Sequence, residues 1–284
     1  MYISAHLMKI IKNLCIEILL SFFTFFPLLN AYSQTQDPNS QPFKLYEKIF
    51  NQGEYEQKTG NYSKSIDLFK QSLNLARKND LDYGEAKCLM KLGLLYWNIG
   101  QVKDSSDFYF EALSLAQKFQ LKDIKEECFG ALEIYKFYSK GQNFRSSNMY
   151  QESIESFRKA IALARKIGSK EHEVKCLRQM SLIYWQLNSL EEFLALNEEA
   201  LRIAKSLNNR REEGKCLMNI GLFYWWMDNY SKAIRYYENA LDISLKIRNK
   251  ENEAMCLTNI SIVYSDLGNY EKALEYMKKA FDID

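Results

Sequence analysis

The sequence predicts an all-α fold, a solenoid of about six helix pairs that follows an N-terminal signal segment. Three observations lead to this prediction. One two-helix unit is easily recognised, its landmarks recur at a nearly constant interval, and the first 33 residues differ in composition from the rest. A single pair of amphipathic helices cannot bury both of its apolar faces, so the unit requires neighbouring copies to form a stable core.

The clearest copy of the unit spans residues 214–253. Its first half carries apolar residues at the spacing of one helix face, and Asp228-Asn229 then introduces turn chemistry. A second apolar stripe follows the turn, so the segment is typical of a helix, a short turn and a second helix. The two stripes consist of Leu217, Ile220, Gly221 and Tyr224, and of Ala233, Ile234, Tyr237, Ala240, Leu241 and Ile243.

Two independent landmarks give the period of the repeat. Cysteines stand at positions 88, 128, 176, 216 and 256, so the intervals are 40, 48, 40 and 40 residues. The residue after each turn follows the same intervals, from Tyr62 to Tyr270. The fourth copy departs from the others, because Phe193 replaces a small residue and Asn197 replaces an apolar one. We therefore expect the second helix of the fourth repeat to pack differently.

The landmarks divide the chain into segments. Residues 1–33 are predicted to be a signal peptide, residues 34–42 a polar linker and residues 43–284 the array. The repeats span about 43–78, 82–118, 123–167, 171–207, 211–248 and 251–284. The eight extra residues of the 48-residue interval fall within the first helix of the third repeat, which should run from about 123 to 147. Eight residues exceed two helical turns by about 80° of rotation, so the repeats on either side should not share one smooth superhelix.

The N-terminal segment has the plan of a secretory signal. Lys9 and Lys12 form a basic start, an apolar stretch covers residues 18–29, and Ala31-Tyr32-Ser33 places small residues before Gln34. We expect cleavage before Gln34 and an exported protein, periplasmic or secreted. The alternative is an uncleaved membrane anchor, although the apolar stretch is short against the roughly 20 residues that span a bilayer. Membrane contact is expected only through this segment.

The repeat resembles a known family. Leu217-x2-Ile220-Gly221-x2-Tyr224, followed by Ala233-x3-Tyr237, is similar to the tetratricopeptide repeat signature, and the pattern recurs from Leu89 and from Leu257. The period of 40 residues exceeds the family's usual 34, and Leu245 stands where the family has proline. The longer unit is similar to the repeats of kinesin light chain and of bacterial arrays that precede CHAT-type (caspase-like) protease domains. The resemblance implies a right-handed α-solenoid that binds protein partners.

Composition and motifs exclude several functions. The formal net charge is only +2, so nothing indicates nucleic-acid binding. The sequence contains no HExxH, GxxxxGK[ST], GxSxG or GxGxxG motif, and we expect no enzyme activity, cofactor or metal. His172 and Cys176 share a helix face, but no third catalytic group accompanies them. Equivalent cysteines of stacked repeats lie about 10 Å apart, too far for a disulfide, so we expect buried thiols.

A second stripe runs beside the core stripe of the first helices. It carries three tryptophans at equivalent positions, together with lysines, arginine and amides. The family resemblance implies that this face lines the concave groove and binds a peptide, and its cations favour an acidic partner. The alternative is that the tryptophans pack against the next repeat. The stripe comprises Lys87, Met90, Lys91, Leu94, Trp97, Lys175, Arg178, Gln179, Leu182, Trp185, Lys215, Met218, Asn219, Leu222, Trp225, Trp226, Asn259 and Ile262.

The sequence therefore favours a noncatalytic scaffold that binds an extended peptide or a protein on its concave face. A second hypothesis is that the chain is the N-terminal sensor region of a longer enzyme, for example a CHAT-type protease. The reading frame beyond residue 284 distinguishes the two hypotheses.

Overall fold

The computed structural model describes residues 40–283, and this part of the chain contains twelve α-helices and no strand. The predicted signal peptide and its cleavage site lie outside the described residues. Helices α1 and α2 span Gln41–Lys58 and Tyr62–Lys78, and α3 and α4 span Asp82–Ile99 and Val102–Lys118. Next come α5 (Lys122–Ser146), α6 (Tyr150–Lys166), α7 (Lys170–Gln186) and α8 (Leu190–Ser206). The chain continues with α9 (Arg210–Trp226), α10 (Tyr230–Lys246), α11 (Lys250–Asp266) and α12 (Tyr270–Phe281).

Consecutive helices pack against each other throughout, so six antiparallel pairs stack into one array. Within a pair, an aromatic ring of the second helix rests on a glycine of the first. A Cβ at Gly221 would stand 2.7 Å from Tyr237, and one at Gly141 would stand 2.8 Å from Phe157. These distances are shorter than a carbon–carbon contact allows, so the repeat requires glycine wherever the aromatic ring is present.

A small residue of the second helix completes this contact. The hydroxyl of Ser105 donates to the Gly93 carbonyl at 2.7 Å, and Ser153 donates to the Gly141 carbonyl at 2.6 Å. Because the serine side chain is short and buried, the two helices approach each other closely where the hydroxyl meets the glycine carbonyl. The glycine, the ring and the small residue therefore form one packing unit.

The fourth repeat replaces all three members of this unit, as its sequence indicates. Ser181 stands in the glycine position, and Asn197 replaces the ring and donates to the Ser181 hydroxyl at 2.9 Å and to the Phe193 carbonyl at 2.7 Å. Phe193 takes the place of the small residue and is fully buried. The expectation that this helix packs differently is confirmed. The Asn197 amide can be buried without a large energetic cost because it has hydrogen-bond partners.

Helix α5 accommodates the eight extra residues, since it is 25 residues long against 17 for α7. Beyond it the array turns back on itself. The first helices of the second and fourth repeats, α3 and α7, contact each other although a whole repeat separates them in sequence. Arg145, near the end of α5, donates to Gln179 of α7 at 3.1 Å. The long helix thus separates two segments whose inner faces meet.

The first repeat takes part in the same closure. Asn208, in the turn between α8 and α9, donates to the carbonyl of Lys58 at 2.8 Å, although the two residues are 150 positions apart. Part of the inner face of the first four repeats is consequently covered by the chain itself. We use the term closure contact for the contact of α3 with α7 together with the hydrogen bond from Asn208 to Lys58.

The five repeat cysteines, at positions 88, 128, 176, 216 and 256, are buried free thiols, as the repeat spacing predicts. Burial raises the pKa of Cys88, Cys128 and Cys256 to about 12, so these thiols are protonated at neutral pH.

We expect all five repeat thiols to resist alkylation in the folded protein and to react fully after denaturation. The reason is that a buried, protonated sulfur presents no thiolate to the reagent. Peptide mapping after iodoacetamide treatment, with and without denaturant, measures each site separately. Thiols that react only after reduction would show that disulfides form and that the spacing argument is wrong.

Candidate functional site

The predicted groove stripe divides into a closed part and an open part. Six of its members are buried, twelve are half-buried or exposed, and Trp226 and Ile262 are the exposed ones. The buried members are Met90, Trp97, Lys175, Arg178, Gln179 and Met218. The half-buried members are Lys87, Lys91, Leu94, Leu182, Trp185, Lys215, Asn219, Leu222, Trp225 and Asn259.

The prediction that Trp97 lines an open groove is wrong in this structure. Trp97 is only 1% exposed and packs at 4.7 Å, between ring centroids, against both Tyr138 and His172. These neighbours come from the third and fourth repeats, so the tryptophan lies inside the closure contact. For this residue, the packing alternative describes the structure.

The predicted cations of the groove also have partners within the chain. Lys175 donates to the Trp97 carbonyl and lies over the indole, with its ammonium 4.8 Å from the ring centroid. Lys91 pairs with Glu54 of α1 at 2.8 Å, and Lys87 lies 4.6 Å from the ring centroid of Phe50. Lys175 joins α7 to α3, whereas Lys91 and Lys87 join the second repeat to the first. These contacts occupy the cations within the chain, and the acidic partner stays a prediction.

A buried charge network lies next to Lys175, between the fourth and fifth repeats. Arg178 of α7 donates to Glu212 of α9 at 2.7 Å, and both side chains are almost fully buried. Burial alone would raise the pKa of Glu212, but the neighbouring cations of Arg178, Lys215 and Lys175 outweigh it and lower the pKa to about 2. Burial lowers the pKa of Lys175 to about 7, although Glu212 acts in the opposite direction.

What remains of the first-repeat end of the groove is a cleft of about 330 Å³ between the first and fourth repeats. Lys91 and Leu94 line it, together with Glu54 and Tyr62 on one side and Glu171 on the other. Both charge signs are present in its wall, so the cleft offers no uniform preference for a charged ligand.

The open part of the stripe contains three tryptophans linked through Trp226, which we call the indole cluster: Trp185, Trp225 and Trp226. The ring centroids of Trp185 and Trp226 lie 5.5 Å apart at an interplanar angle of 75°, and those of Trp225 and Trp226 lie 6.3 Å apart at 63°. Edge-to-face pairs at such distances are favourable. Trp226 is 51% exposed, and Met227, the next residue, is 56% exposed.

The residues beneath the cluster determine its position. Phe193, which replaces a small residue only in the fourth repeat, packs under Trp185 with a centroid distance of 5.0 Å. Trp225 donates from Nε1 to the Asp266 carboxylate at 2.6 Å, which fixes the indole against α11. The cluster is therefore supported from two sides, and the exposed face of Trp226 is presented on a rigid base.

Two asparagines lie beside the cluster, and one of them is already hydrogen-bonded within the chain. Asn219 donates to the buried Asn197 amide oxygen at 2.9 Å, so one of its two N–H groups is used internally. Asn259 lines a small depression of about 40 Å³ with Leu222, Trp225 and Ile262. Among the described residues, Asn259 has no hydrogen-bond partner, and its amide can both donate and accept.

Sequence reasoning missed Phe193 and Asp266 as parts of this site. Phe193 did carry a signal, because it interrupts the series of small residues in the second helices. Asp266 gave none, since an acidic residue near the end of α11 is typical of a solvated surface. Its role depends on the position of Trp225, a residue 41 positions earlier.

His172 and Cys176 do not form a nucleophilic pair. His172 Nδ1 lies 2.6 Å from the Ser169 hydroxyl, and the imidazole packs against Trp97. Burial lowers the pKa of His172 to about 3, helped by Lys175, and raises the pKa of the Cys176 thiol well above its usual value. A thiol and a weakly basic imidazole in these surroundings supply neither a nucleophile nor a base at neutral pH.

Residues 40–283 contain no group of three or more His, Cys, Asp or Glu side chains arranged to hold a metal ion. In the same range, no helix has the length and apolar character needed to cross a membrane.

Comparison with known families gives matches over most of the repeats. Residues 45–118 and 215–284, together more than half of the chain, match the sequence profile described as Tetratricopeptide repeat. A second profile with the same description matches residues 137–167. No curated protein matches the chain.

Three solved structures illustrate the likeness in fold. The Rap conjugation gene regulator of the plasmid pLS20, solved with a peptide, is 18% identical with a TM-score of 0.51, over 85% of this chain and 74% of the regulator. BtubC from P. vanneervenii is 18% identical with a TM-score of 0.46, over 80% of this chain and 90% of BtubC. A signal transduction ATPase from Pyrococcus horikoshii with a tetratricopeptide repeat sensor is 19% identical with a TM-score of 0.48, over 98% of this chain and 41% of the ATPase.

Proposed function

This chain belongs to the tetratricopeptide repeat family, and from this premise we propose that it is a noncatalytic scaffold that binds a protein segment at its indole cluster. The observation that carries the proposal is the exposure of Trp226. Half of this side chain is open to solvent beside two other indoles, whereas six other members of the stripe are buried.

The chemistry of the cluster suits an anchor residue from a partner. A tryptophan offers a large apolar area with few rotatable bonds, so little conformational entropy is lost on binding, and tryptophan is enriched among binding hot spots. Trp226 is already held at 5.5 Å from Trp185 before any partner arrives. Pre-organisation of this kind lowers the cost of association.

Groups next to the indoles supply hydrogen bonds for a peptide backbone. The free amide of Asn259 lies in the depression beside Trp225, where it can donate to a carbonyl and accept from an N–H. The exposed side chain of Ile262, at 39% exposure, extends the apolar surface along α11. An extended segment with an apolar or aromatic residue, placed across α9 and α11, matches this arrangement.

The partner proposed here differs in charge from the sequence expectation. Lys175 and Arg178 are buried in the closure contact, and Lys215 lies 3.7 Å from Glu212, so these cations do not select an acidic segment at the cluster. The likeness to the peptide-bound regulator concerns the fold, and the choice of a peptide ligand rests on the indoles and on Asn259.

Selection of peptides from a random displayed library against the full chain tests the proposal. We expect enriched peptides to carry an aromatic or large aliphatic residue and to change the indole fluorescence on binding. Trp226→Ala should weaken their binding by about 2 kcal/mol or more if the residue is a hot spot.

Phe110→Ala is the matched control, because Phe110 is 58% exposed on α4, away from the cluster. This variant should bind the selected peptides like the wild type. Peptides that bind Trp226→Ala as tightly as the wild type would show that the cluster is not the binding site.

A further inference from the structure

A large cavity lies where the first repeat meets the last two. Its volume is about 760 Å³, and its wall is formed by residues 59–63 and Ile66 of the first repeat, by Ile99 and Arg211, and by residues 246–250 between α10 and α11. The array must turn back on itself to bring these segments together, and the hydrogen bond from Asn208 to Lys58 joins the two sides next to the cavity. Cavities of this size commonly hold small organic ligands.

The charge of the wall is one-sided. Of its thirteen residues, four are cationic and none is acidic. Three of these cations have carboxylate partners outside the wall, whereas Arg248 has no ion-pair partner among the described residues. The four cations are Arg211, Lys246, Arg248 and Lys250. Clustered charges of one sign in a recess concentrate ligands of the opposite sign.

Two hydrogen-bond donors in the wall are buried without a partner. Asn249 is only 8% exposed, and its Oδ1 accepts from the Asn252 amide at 3.3 Å, but its Nδ2 has no acceptor. Arg211 Nε is likewise buried without an acceptor. A buried donor that lacks a partner is unfavourable, so both groups would gain from an acceptor oxygen supplied by a ligand.

The first turn of α2 also contributes to this wall. Asn61, its N-terminal flanking residue, donates to the Glu56 carboxylate at 3.1 Å and does not cap the helix with its side chain, and Asn61, Tyr62 and Ser63 all line the cavity. The exposed amides and dipole of a helix start favour negative charge. Three isoleucines supply the apolar part of the wall: Ile66, Ile99 and the half-buried Ile247.

We propose that this cavity binds a small molecule with an anionic head, a phosphate or a carboxylate, and a short apolar body. The head lies against Arg248, Arg211 and the Asn249 amide, and the body lies against the isoleucines. No residue of the indole cluster lines the cavity, so this site is separate from the proposed peptide site, and each can fail without the other.

Hexyl phosphate, hexanoate and hexanol are suitable probes for calorimetric titration of the full chain. We expect at least one anion to bind and the alcohol to bind at least about tenfold more weakly, because hydrogen bonds to charged groups are worth about that factor. Binding of hexyl phosphate alone identifies a phosphate head, binding of hexanoate alone a carboxylate head, and binding of both a general anion site. Absence of binding by both anions, or equal binding of hexanol, would overturn the proposal.

Arg248→Asn is the most informative variant. Arg248 adopts a positive φ of 53°, and the equivalent turn positions carry Asn148, Asn188 and Asn208 at φ values of 58°, 57° and 52°. Asparagine therefore suits this backbone, and the variant removes the guanidinium group with its charge and its hydrogen-bond donors. We expect the variant to bind the anion about tenfold more weakly.

Arg202→Asn, at an exposed position of α8, makes the same change of charge outside the cavity and should bind like the wild type. Lys250→Gln provides a second variant within the wall, which should also weaken binding. Unchanged affinity in both wall variants would show that the anion binds elsewhere.

Discussion

Trp97→Ala should lower the free energy of unfolding by about 3–5 kcal/mol, the range found when large buried aromatic residues are truncated. The indole is almost completely buried and makes ring contacts with Tyr138 and His172. Its removal leaves a cavity between the second, third and fourth repeats and takes away the aromatic face on which the Lys175 ammonium lies. Chemical denaturation followed by circular dichroism measures the change.

Trp226→Ala is the control for this experiment, because it makes the same substitution at a residue that is 51% exposed. Surface substitutions usually change stability by about 0.5 kcal/mol or less, so this variant should unfold almost like the wild type. If Trp97→Ala were equally stable, the closure contact would be absent in solution, and Trp97 would face an open groove as the sequence-based hypothesis stated.

The repeat architecture was accessible from the sequence because it depends on local patterns. The glycine, the aromatic ring and the small residue recur with the cysteines, and each is required by a contact within one helix pair, such as Gly221 with Tyr237. The position of the eight extra residues followed from the same landmarks. They lengthen one helix by about two turns and a further 80° of rotation, because the inserted residues continue the helix instead of forming a loop.

The closed part of the stripe could not be predicted from these patterns. A helical period indicates which residues share a face, but it does not show what covers that face. Here the cover is the chain itself, through contacts such as that of Lys175 with Trp97, which are 78 residues apart. Solvent-facing charge and internal ion pairs have the same appearance in a single sequence, so Arg178 and Glu212 were not recognised as partners.

The indole cluster was predicted in part. The recurrence of tryptophan after the tyrosine of the first helix identified Trp185, Trp225 and Trp226. The recurrence also included Trp97, which occupies the same repeat position but meets different neighbours. The departures in the fourth repeat were the better guide, since Phe193 lies directly beneath Trp185. In a regular array, the positions that depart from the repeat pattern therefore indicate where the packing differs.

Lys175→Met should stabilise the protein at neutral and mildly acidic pH, by an amount on the order of several kcal/mol. Burial lowers the pKa of Lys175 to about 7 in the folded protein, whereas a lysine in an unfolded chain has a pKa near 10.4. The unfolded chain therefore binds more protons between these two values, so stability increases as the pH rises through this window. Below about pH 7 the cost of the buried ammonium is fully present.

The surroundings of Lys175 support this direction. Glu212 of α9 favours the ammonium, while Lys215 and Arg211 of the same helix and Arg178 of α7 oppose it. Methionine has a similar length and no charge to desolvate. The substitution does not orphan the Trp97 carbonyl, which also accepts from the Gly100 amide at 3.0 Å.

The stabilities of wild type and variant should be compared at each pH by denaturant titration. From pH 7 to pH 8.5 the advantage of Lys175→Met should shrink by an amount on the order of 1 kcal/mol, because the unfolded chain keeps its proton over this range while the folded protein loses it. Both proteins share the opposing effect of the buried cysteines, whose thiols ionise in the unfolded chain near pH 8.5, so that effect cancels in the difference. Lys205→Met, at an exposed position of α8, should show a constant difference from the wild type over this range. A constant difference for Lys175→Met as well would mean that its ammonium reaches water and that the second and fourth repeats do not close on it.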